Sequence, residues 1–232
     1  MIARHTLGWF LSVVTRRRGK KIWDSAKTIK HFEKDWYENP ARLRVYDLIA
    51  SAYKPGVTLA DAGCGVGFDT ERILDRFCGI YYTGIDASQK MLDRCGEKFG
   101  YHSNAKFEKG DILDLNYDDR SFDIVISCNV MVHITGFATA LRELCRICDH
   151  HLILQFNYID ENGDYLQGLS PEEFDMRFLD KRSNMYFVYY NPQEIIDLCS
   201  SFGLKKVYKG NFPLDKYKRE ATVLYFTRGE DL

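Results

Sequence analysis

Two carboxylates and three glycines are the residues of this chain whose types and spacing best support joint chemistry. They lie in the run Asp61-Ala62-Gly63-Cys64-Gly65-Val66-Gly67 and at Asp86, 19 residues beyond Gly67. An apolar stretch from Val57 leads into the glycines, and a helical pattern from Phe68 to Phe77 follows them. A buried strand feeding a glycine turn and then a helix is how an open α/β sheet builds a nucleotide cradle. Gly63 and Gly65 permit positive φ and let a ligand approach the backbone. The amides at the helix start favour an anionic group. Asp86, at the end of the next apolar run, stands where a carboxylate grips ribose hydroxyls.

The details narrow the ligand. A dinucleotide turn of the G-x-G-x-x-G type needs a final glycine where this chain has Phe68, and no Gly-Lys-Ser/Thr follows to make a triphosphate loop. Asp61 would repel a pyrophosphate and suits an ammonium group instead. A ligand with an amino acid at one end and a ribose at the other satisfies both carboxylates, and S-adenosylmethionine is such a ligand.

The elements that must position these residues follow from periodicity. Helical patterns run over 24–36 and 41–53, separated by Asn39-Pro40. Strands are expected at 57–61, 80–86, 105–108, 121–128 and 151–158, with helices at 68–78, at 89–99 behind Ser88 as a cap, and at 137–148. Alternation of this kind makes a doubly wound, mostly parallel sheet the economical solution. Residues 159–191 read as an aromatic-rich, lid-like insertion, followed by a helix over 192–202 and two terminal strands expected to be antiparallel. Residues 1–40 are set apart as an N-terminal helical cap with a basic arm, and 41–232 as the main domain.

Taken together, the motifs resemble the class I S-adenosylmethionine-dependent methyltransferases over roughly residues 57–157. Asp61 to Gly67 is similar to the family's first motif, and Gly84-Ile85-Asp86-Ala87-Ser88 with Met91-Leu92 to its second. Gly110-Asp111-Ile112 is similar to its acidic motif, and Phe122 to Asn129 to its fourth-strand motif. The resemblance implies a seven-stranded α/β sheet with helices on both faces and one antiparallel strand near its edge. It implies that Asp61, Gly63, Cys64, Gly65 and Gly67 seat the methionine part and that Asp86 holds the ribose. Adenine would lie between Ala87 and Ile112, beside Met91, with Asp111 reaching its amino group and Asn129 approaching the methionine end.

Methyl transfer asks mainly for alignment, and an oxygen acceptor also asks for a base. His133, four residues past Asn129, is the first candidate for that base; the alternative is a histidine hydrogen-bonded to backbone beside the pocket. Trp36, Tyr37, Tyr158, Tyr186 and Tyr189 are candidates to face the acceptor. His150 and His151 are expected in a solvated turn. Cys145-x-x-Cys148 sits at a helix end with no second pair at zinc spacing, so no metal site is expected. The fourth-strand end, Cys128-Asn-Val-Met131, lacks the Asn/Asp-Pro-Pro-Tyr/Phe signature that resembles amino-group methylation of adenine or glutamine.

The chain's 232 residues carry a net charge of −1 and are 45% hydrophobic. Residues 1–30 hold eight basic residues and one acid, which leaves −8 on the rest. The arm Arg16–Lys21 could contact an anionic membrane surface, and the nine-residue apolar stretch before it is too short to span one. Seven cysteines, an odd number, point to reduced thiols in a cytoplasmic, or membrane-peripheral, protein. The sequence thus favours methylation of a small-molecule or glycan- or lipid-linked acceptor, at oxygen. Methylation of RNA or protein nitrogen, and a non-catalytic cofactor-binding protein, stand as alternatives, with nucleic acid disfavoured by the acidic body.

Overall fold

The computed structural model of the protein describes residues 24, 29–30, 39–134, 137–159, 179–180, 185–186, 192–213 and 219–229. The basic arm, Trp36, Tyr37, Tyr189 and most of 159–191 lie outside the described residues.

Helix α1 (Pro40–Ala52) begins where Asn39 Oδ1 accepts the Arg42 N–H at 2.9 Å and Pro40 sets the first-turn φ. Asn39-Pro40 is therefore a helix start as well as a break. There follow β1 (Thr58–Ala62), α2 (Phe68–Arg76), β2 (Tyr81–Asp86), α3 (Gln89–Phe99) and β3 (Ala105–Lys109). Then come β4 (Phe122–Cys128), a single 3-10 turn at Met131–His133, α4 (Phe137–Ile147) and β5 (Cys148–Ile159). A two-residue pair, β6 (Leu179–Asp180) with β7 (Met185–Tyr186), precedes α5 (Pro192–Ser201), β8 (Lys205–Pro213) and β9 (Arg219–Thr227).

The main sheet has seven strands in the order β3-β2-β1-β4-β5-β9-β8. All neighbours from β3 to β5 are parallel, and β9 runs antiparallel to both β5 and β8. This is the doubly wound sheet with one reversed strand near its edge. The strand order reverses between β1 and β4, so a crevice opens at their carboxyl ends, where open α/β sheets take their ligands.

Side-chain alternation divides the core. Val125, Leu152, Leu154, Leu224 and Phe226 pack with Leu141 and Leu144 of α4 and Ile195 of α5 on one face. Leu59, Ile124, Ile126, Ile153 and Val223 pack with Val45 and Ile49 of α1 and Ile73 of α2 on the other. A third cluster, Cys64, Leu92, Cys95 and Phe99, binds the glycine turn to α3. Asp123 ties two strands together, accepting from the Thr58 N–H at 2.8 Å and its hydroxyl at 2.7 Å.

His150 and His151 differ from expectation. The fifth strand begins at Cys148, three residues early, so both histidines lie within it. His151 is half-buried there, with its Nδ1 2.9 Å from the Tyr225 hydroxyl. The early start comes from β4, where Phe122 pairs with Cys148, and β9 pairs with β5 only from His151 onward.

One arginine holds the segment between β3 and β4. Arg146 donates to the Tyr117 carbonyl at 2.5 Å and the Leu115 carbonyl at 2.8 Å, and pairs with Glu143 at 2.9 Å and Asp119 at 3.1 Å. Arg146→Ala strands two carbonyls and is expected to lower unfolding free energy by about 1–2 kcal/mol in urea denaturation. An unchanged midpoint would show that the segment is held without it.

Candidate functional site

The glycine turn fills the crevice at the end of β1. Gly63, Gly65 and Gly67 all have positive φ, at 94°, 55° and 84°. They need to be glycine for different reasons. A Cβ on Gly63 would stand 2.1 Å from Val130 Cγ2, and one on Gly67 would stand 2.5 Å from the Phe99 ring. At Gly65 the nearest atom to such a Cβ is Met91 Sδ, at 3.9 Å. Gly63 and Gly67 are therefore packed against protein, while Gly65 presents bare backbone to open space.

The amides of the turn itself are taken up within the protein. Gly63 and Cys64 both donate to the Ile85 carbonyl, at 2.7 and 3.1 Å, and Gly67 donates to Cys64 at 3.0 Å. The Gly65 N–H donates to Asp86 Oδ2 at 3.0 Å. An anionic group is left with the start of α2, where Gly67 supplies no capping side chain.

Asp86 is the centre of the arrangement. Its other oxygen, Oδ1, accepts the Ser88 N–H at 2.8 Å. Burial raises its pKa, and the amide hydrogen bonds oppose that rise. The Gly110 N–H donates to the Asp86 carbonyl at 3.0 Å, which brings Asp111 and Ile112 beside Asp86 and Ala87. Ala87, Asp111 and Ile112 are half-exposed, whereas Met91 is buried beneath them. Asp111 Oδ1 already accepts the Leu113 N–H at 3.1 Å, so part of its carboxylate orders its own turn.

Asp61 lies deeper than its sequence position suggests. It is 1% exposed, and its Oδ2 accepts the Tyr82 hydroxyl at 2.7 Å, which itself accepts from Thr70 at 2.8 Å. Alongside is a second buried group: Asp69 accepts Arg42 Nη1 at 2.6 Å and the Tyr46 hydroxyl at 2.7 Å. Burial, reinforced by the Asp69 charge, raises the Asp61 pKa to about 7. Asp61 thus lies buried beneath the turn rather than exposed in the crevice.

The other rim is built from β4 and β5. Asn129 adopts φ of 60°, its N–H donates to the Gln155 carbonyl at 2.8 Å, and its Oδ1 accepts Gln155 Nε2 at 3.2 Å. Gln155 is 1% exposed, and its Oε1 is buried with no hydrogen-bond partner among the described residues. An orphaned acceptor beside Asn129 is consistent with a polar ligand group arriving there. His133 closes the 3-10 turn, half-buried, with its N–H on the Val130 carbonyl at 3.0 Å. Strand β7, with Tyr186, lies against that turn. Tyr158 is placed only by its backbone, paired with Glu220 in β5.

Several contributors carry no motif in the sequence. Tyr82, Asp69, Arg42 and Gln155 are ordinary strand or helix positions until the fold joins them. Asp24, from the N-terminal segment, accepts from the Ser88 hydroxyl at 2.7 Å and so brings that segment to the Asp86 end of the site. The Cys145 thiol is buried and lies 3.8 Å from Cys199 Sγ, a pairing outside the C-x-x-C run.

A seven-stranded sheet with this strand order, a glycine turn after β1 and a carboxylate after β2 defines the class I methyltransferase fold. Residues 59–151 match the family model described as a methyltransferase domain, and the sheet around them is Rossmann-like. A sterol 24-C-methyltransferase of Gibberella zeae is 33% identical over 97 residues, covering 40% of this chain and 25% of that protein. A 2-methyl-6-phytyl-1,4-hydroquinone methyltransferase of Synechocystis is 37% identical over 93 residues, covering 40% of this chain and 29% of that protein. The chain therefore spans less than a third of each of these relatives. Among solved structures, magnesium protoporphyrin IX methyltransferase from Synechocystis, with bound S-adenosylhomocysteine, aligns over 92% of this chain and all of that one, with a TM-score of 0.67 and 20% identity. The [4+2]-cyclase SpnF aligns over 91% and 96%, with a TM-score of 0.71 and 15% identity. At these identities the structural likeness establishes the fold alone.

Asp61 gives a test that needs no ligand. Its folded pKa of about 7 lies above the ordinary 3.8, so the folded state resists ionising it. The resulting loss of stability is absent below pH 4, grows as pH rises and is complete above pH 7. Asp61→Asn is expected to raise the melting temperature at pH 8 by about 3–8 °C, with the gain shrinking towards pH 5. An equal or negative shift at both pH values would contradict a raised pKa.

Proposed function

We propose that the protein is an S-adenosylmethionine-dependent methyltransferase acting on a small-molecule or glycan- or lipid-linked acceptor, at oxygen. The observation that carries the reading is the convergence of Gly65, Asp86, Ala87, Asp111 and Ile112 on one crevice, with Asp61 beneath it. The family match and the small-molecule acceptors in the relatives' names support it.

S-adenosylmethionine supplies an electrophilic methyl group on a sulfonium. In this reading Asp86 accepts hydrogen bonds from the ribose hydroxyls while keeping the Gly65 amide. Ala87 and Ile112 flank the adenine, and Asp111 accepts from its amino group. The Asp61 charge attracts the ammonium through the turn, and Asn129, held by Gln155, orients the methionine end. His133 takes the proton from an acceptor hydroxyl. Tyr186, on the strand beside the His133 turn, faces the acceptor, together with Tyr158, Trp36, Tyr37 and Tyr189. Among the described residues no helix is long and apolar enough to cross a membrane. Contact with an anionic surface is assigned to Arg16–Lys21.

Removing a charged acceptor from two ribose hydroxyls should be costly. Asp86→Ala is expected to weaken S-adenosylhomocysteine binding by roughly 100-fold in calorimetry. Unchanged affinity would remove Asp86 from the site. His133→Ala is expected to leave that binding within about twofold, while lowering kcat on a hydroxyl acceptor by about 100-fold or more. Full turnover in the variant would show that His133 is not the base.

A further inference from the structure

The opposite end of the sheet carries a feature that the cofactor crevice does not use. β4 spans Phe122–Cys128, roughly 20 Å at about 3.3 Å per residue. Its carboxyl end meets Asn129, and its amino end follows Arg120. There a cleft of about 330 Å³ is lined by Asp119, Arg120, Arg142, Cys145, Arg146, Phe202 and Arg228. Four arginines and one carboxylate line this cleft, on a body that is acidic overall once residues 1–30 are set aside.

The four guanidiniums are not equivalent. Arg146 is neutralised by Glu143 and Asp119, and it holds the neighbouring segment. Arg228 caps two helix ends, donating to the Phe202 carbonyl at 2.7 Å and the Cys145 carbonyl at 2.8 Å. Its charge meets no carboxylate at ion-pair distance among the described residues, and its Nε is buried without a hydrogen-bond partner. Arg120 and Arg142 are exposed, and neither is in an ion pair among the described residues. Arg120 has φ of 58°, an uncommon conformation for a side-chain-bearing residue, and its N–H is fixed to the Arg146 carbonyl at 2.8 Å. Counting Glu143 and Asp119 against the four arginines, the cleft keeps a net charge of +2.

Rigid, weakly hydrated guanidiniums converging on a concave site form the arrangement that binds phosphate oxygens through paired N–H donors. The volume suits a small ligand, being at the lower end of ordinary ligand pockets. The net charge of −8 outside residues 1–30 disfavours a polyanionic polymer. We propose that this cleft is a second ligand site, taking a small polyanion that bears phosphate groups and engages Arg120 and Arg142, with Arg228 supplying fixed positive charge behind them. The site is independent of the methyl-transfer reading, sharing no residue with the crevice at the other end of the sheet.

The test is calorimetric titration of the full chain with pyrophosphate at low salt. Citrate is run as a polyanion without phosphate, and a single-stranded RNA oligonucleotide as a competitor. Saturable binding of pyrophosphate is expected, weakened about 10-fold or more when Arg120→Asn and Arg142→Gln are combined. Asn suits the positive φ at 120, and an unchanged melting temperature shows that the variant is folded. Arg142→Gln alone, at an exposed helix position, is expected to give an intermediate loss and serves if the pair fails to fold. No saturable heat, or full affinity in the substituted proteins, would overturn the proposal. Citrate binding as tightly as pyrophosphate would overturn the phosphate assignment, and RNA displacing pyrophosphate at lower concentration would make the cleft part of a nucleic-acid surface.

Discussion

The structure depends on how one carboxylate is shared. Asp86 accepts the Gly65 N–H with one oxygen and the Ser88 N–H with the other. These two bonds fix the glycine turn, the end of β2 and the start of α3 relative to one another. Ser88 in turn caps α3 and receives Asp24 from the N-terminal segment. The Gly110 amide on the Asp86 carbonyl adds the segment after β3. A single position thus gathers four separate stretches of chain around one crevice. In the proposed function the same residue accepts from the ribose hydroxyls, so the bonds that order the crevice also orient the group that would hold the nucleoside.

Beneath that crevice the molecule tolerates an unfavourable arrangement. Two carboxylates, Asp61 and Asp69, are buried, the Arg42 guanidinium pairs with Asp69, and burial pushes Asp61 up to about 7. A core optimised for stability alone would place apolar residues there. In the proposed function an ammonium above the turn supplies a positive charge beside Asp61 and offsets part of this cost. This explains why an acid stands at the end of β1, where a pyrophosphate-binding turn could not accept one. It also moves Asp61 from the lining of the crevice to its floor.

Much of this was readable from the residues. The glycine spacing, the acid after the second strand and the Ser88 cap are local signals, set by backbone geometry within a few residues, and the alternation of strands and helices pointed to the doubly wound, mostly parallel sheet. What could not be read was long-range. Tyr82, Thr70, Asp69, Tyr46 and Arg42 meet only because α1 and α2 pack on the same face of the sheet. Gln155 reaches Asn129 through the β4–β5 register. The fate of the turn's own amides is likewise long-range: only the neighbouring strand shows that Ile85 and Asp86 accept from Gly63, Cys64 and Gly65. The histidines at 150 and 151 fall in a strand rather than a turn because β4 pairs with Cys148, ahead of the apolar run that marks the strand locally.

The central claim is that the crevice binds a nucleoside joined to an amino acid whose ammonium is balanced by Asp61. The most direct measurement is the heat of S-adenosylhomocysteine binding at pH 7 in two buffers of different ionisation enthalpy. The account predicts saturable binding with a buffer-dependent heat that corresponds to release of part of one proton, as the ammonium draws Asp61 towards its charged form. Absence of binding would contradict the cofactor site, and binding with identical heats in both buffers would contradict the role given to Asp61.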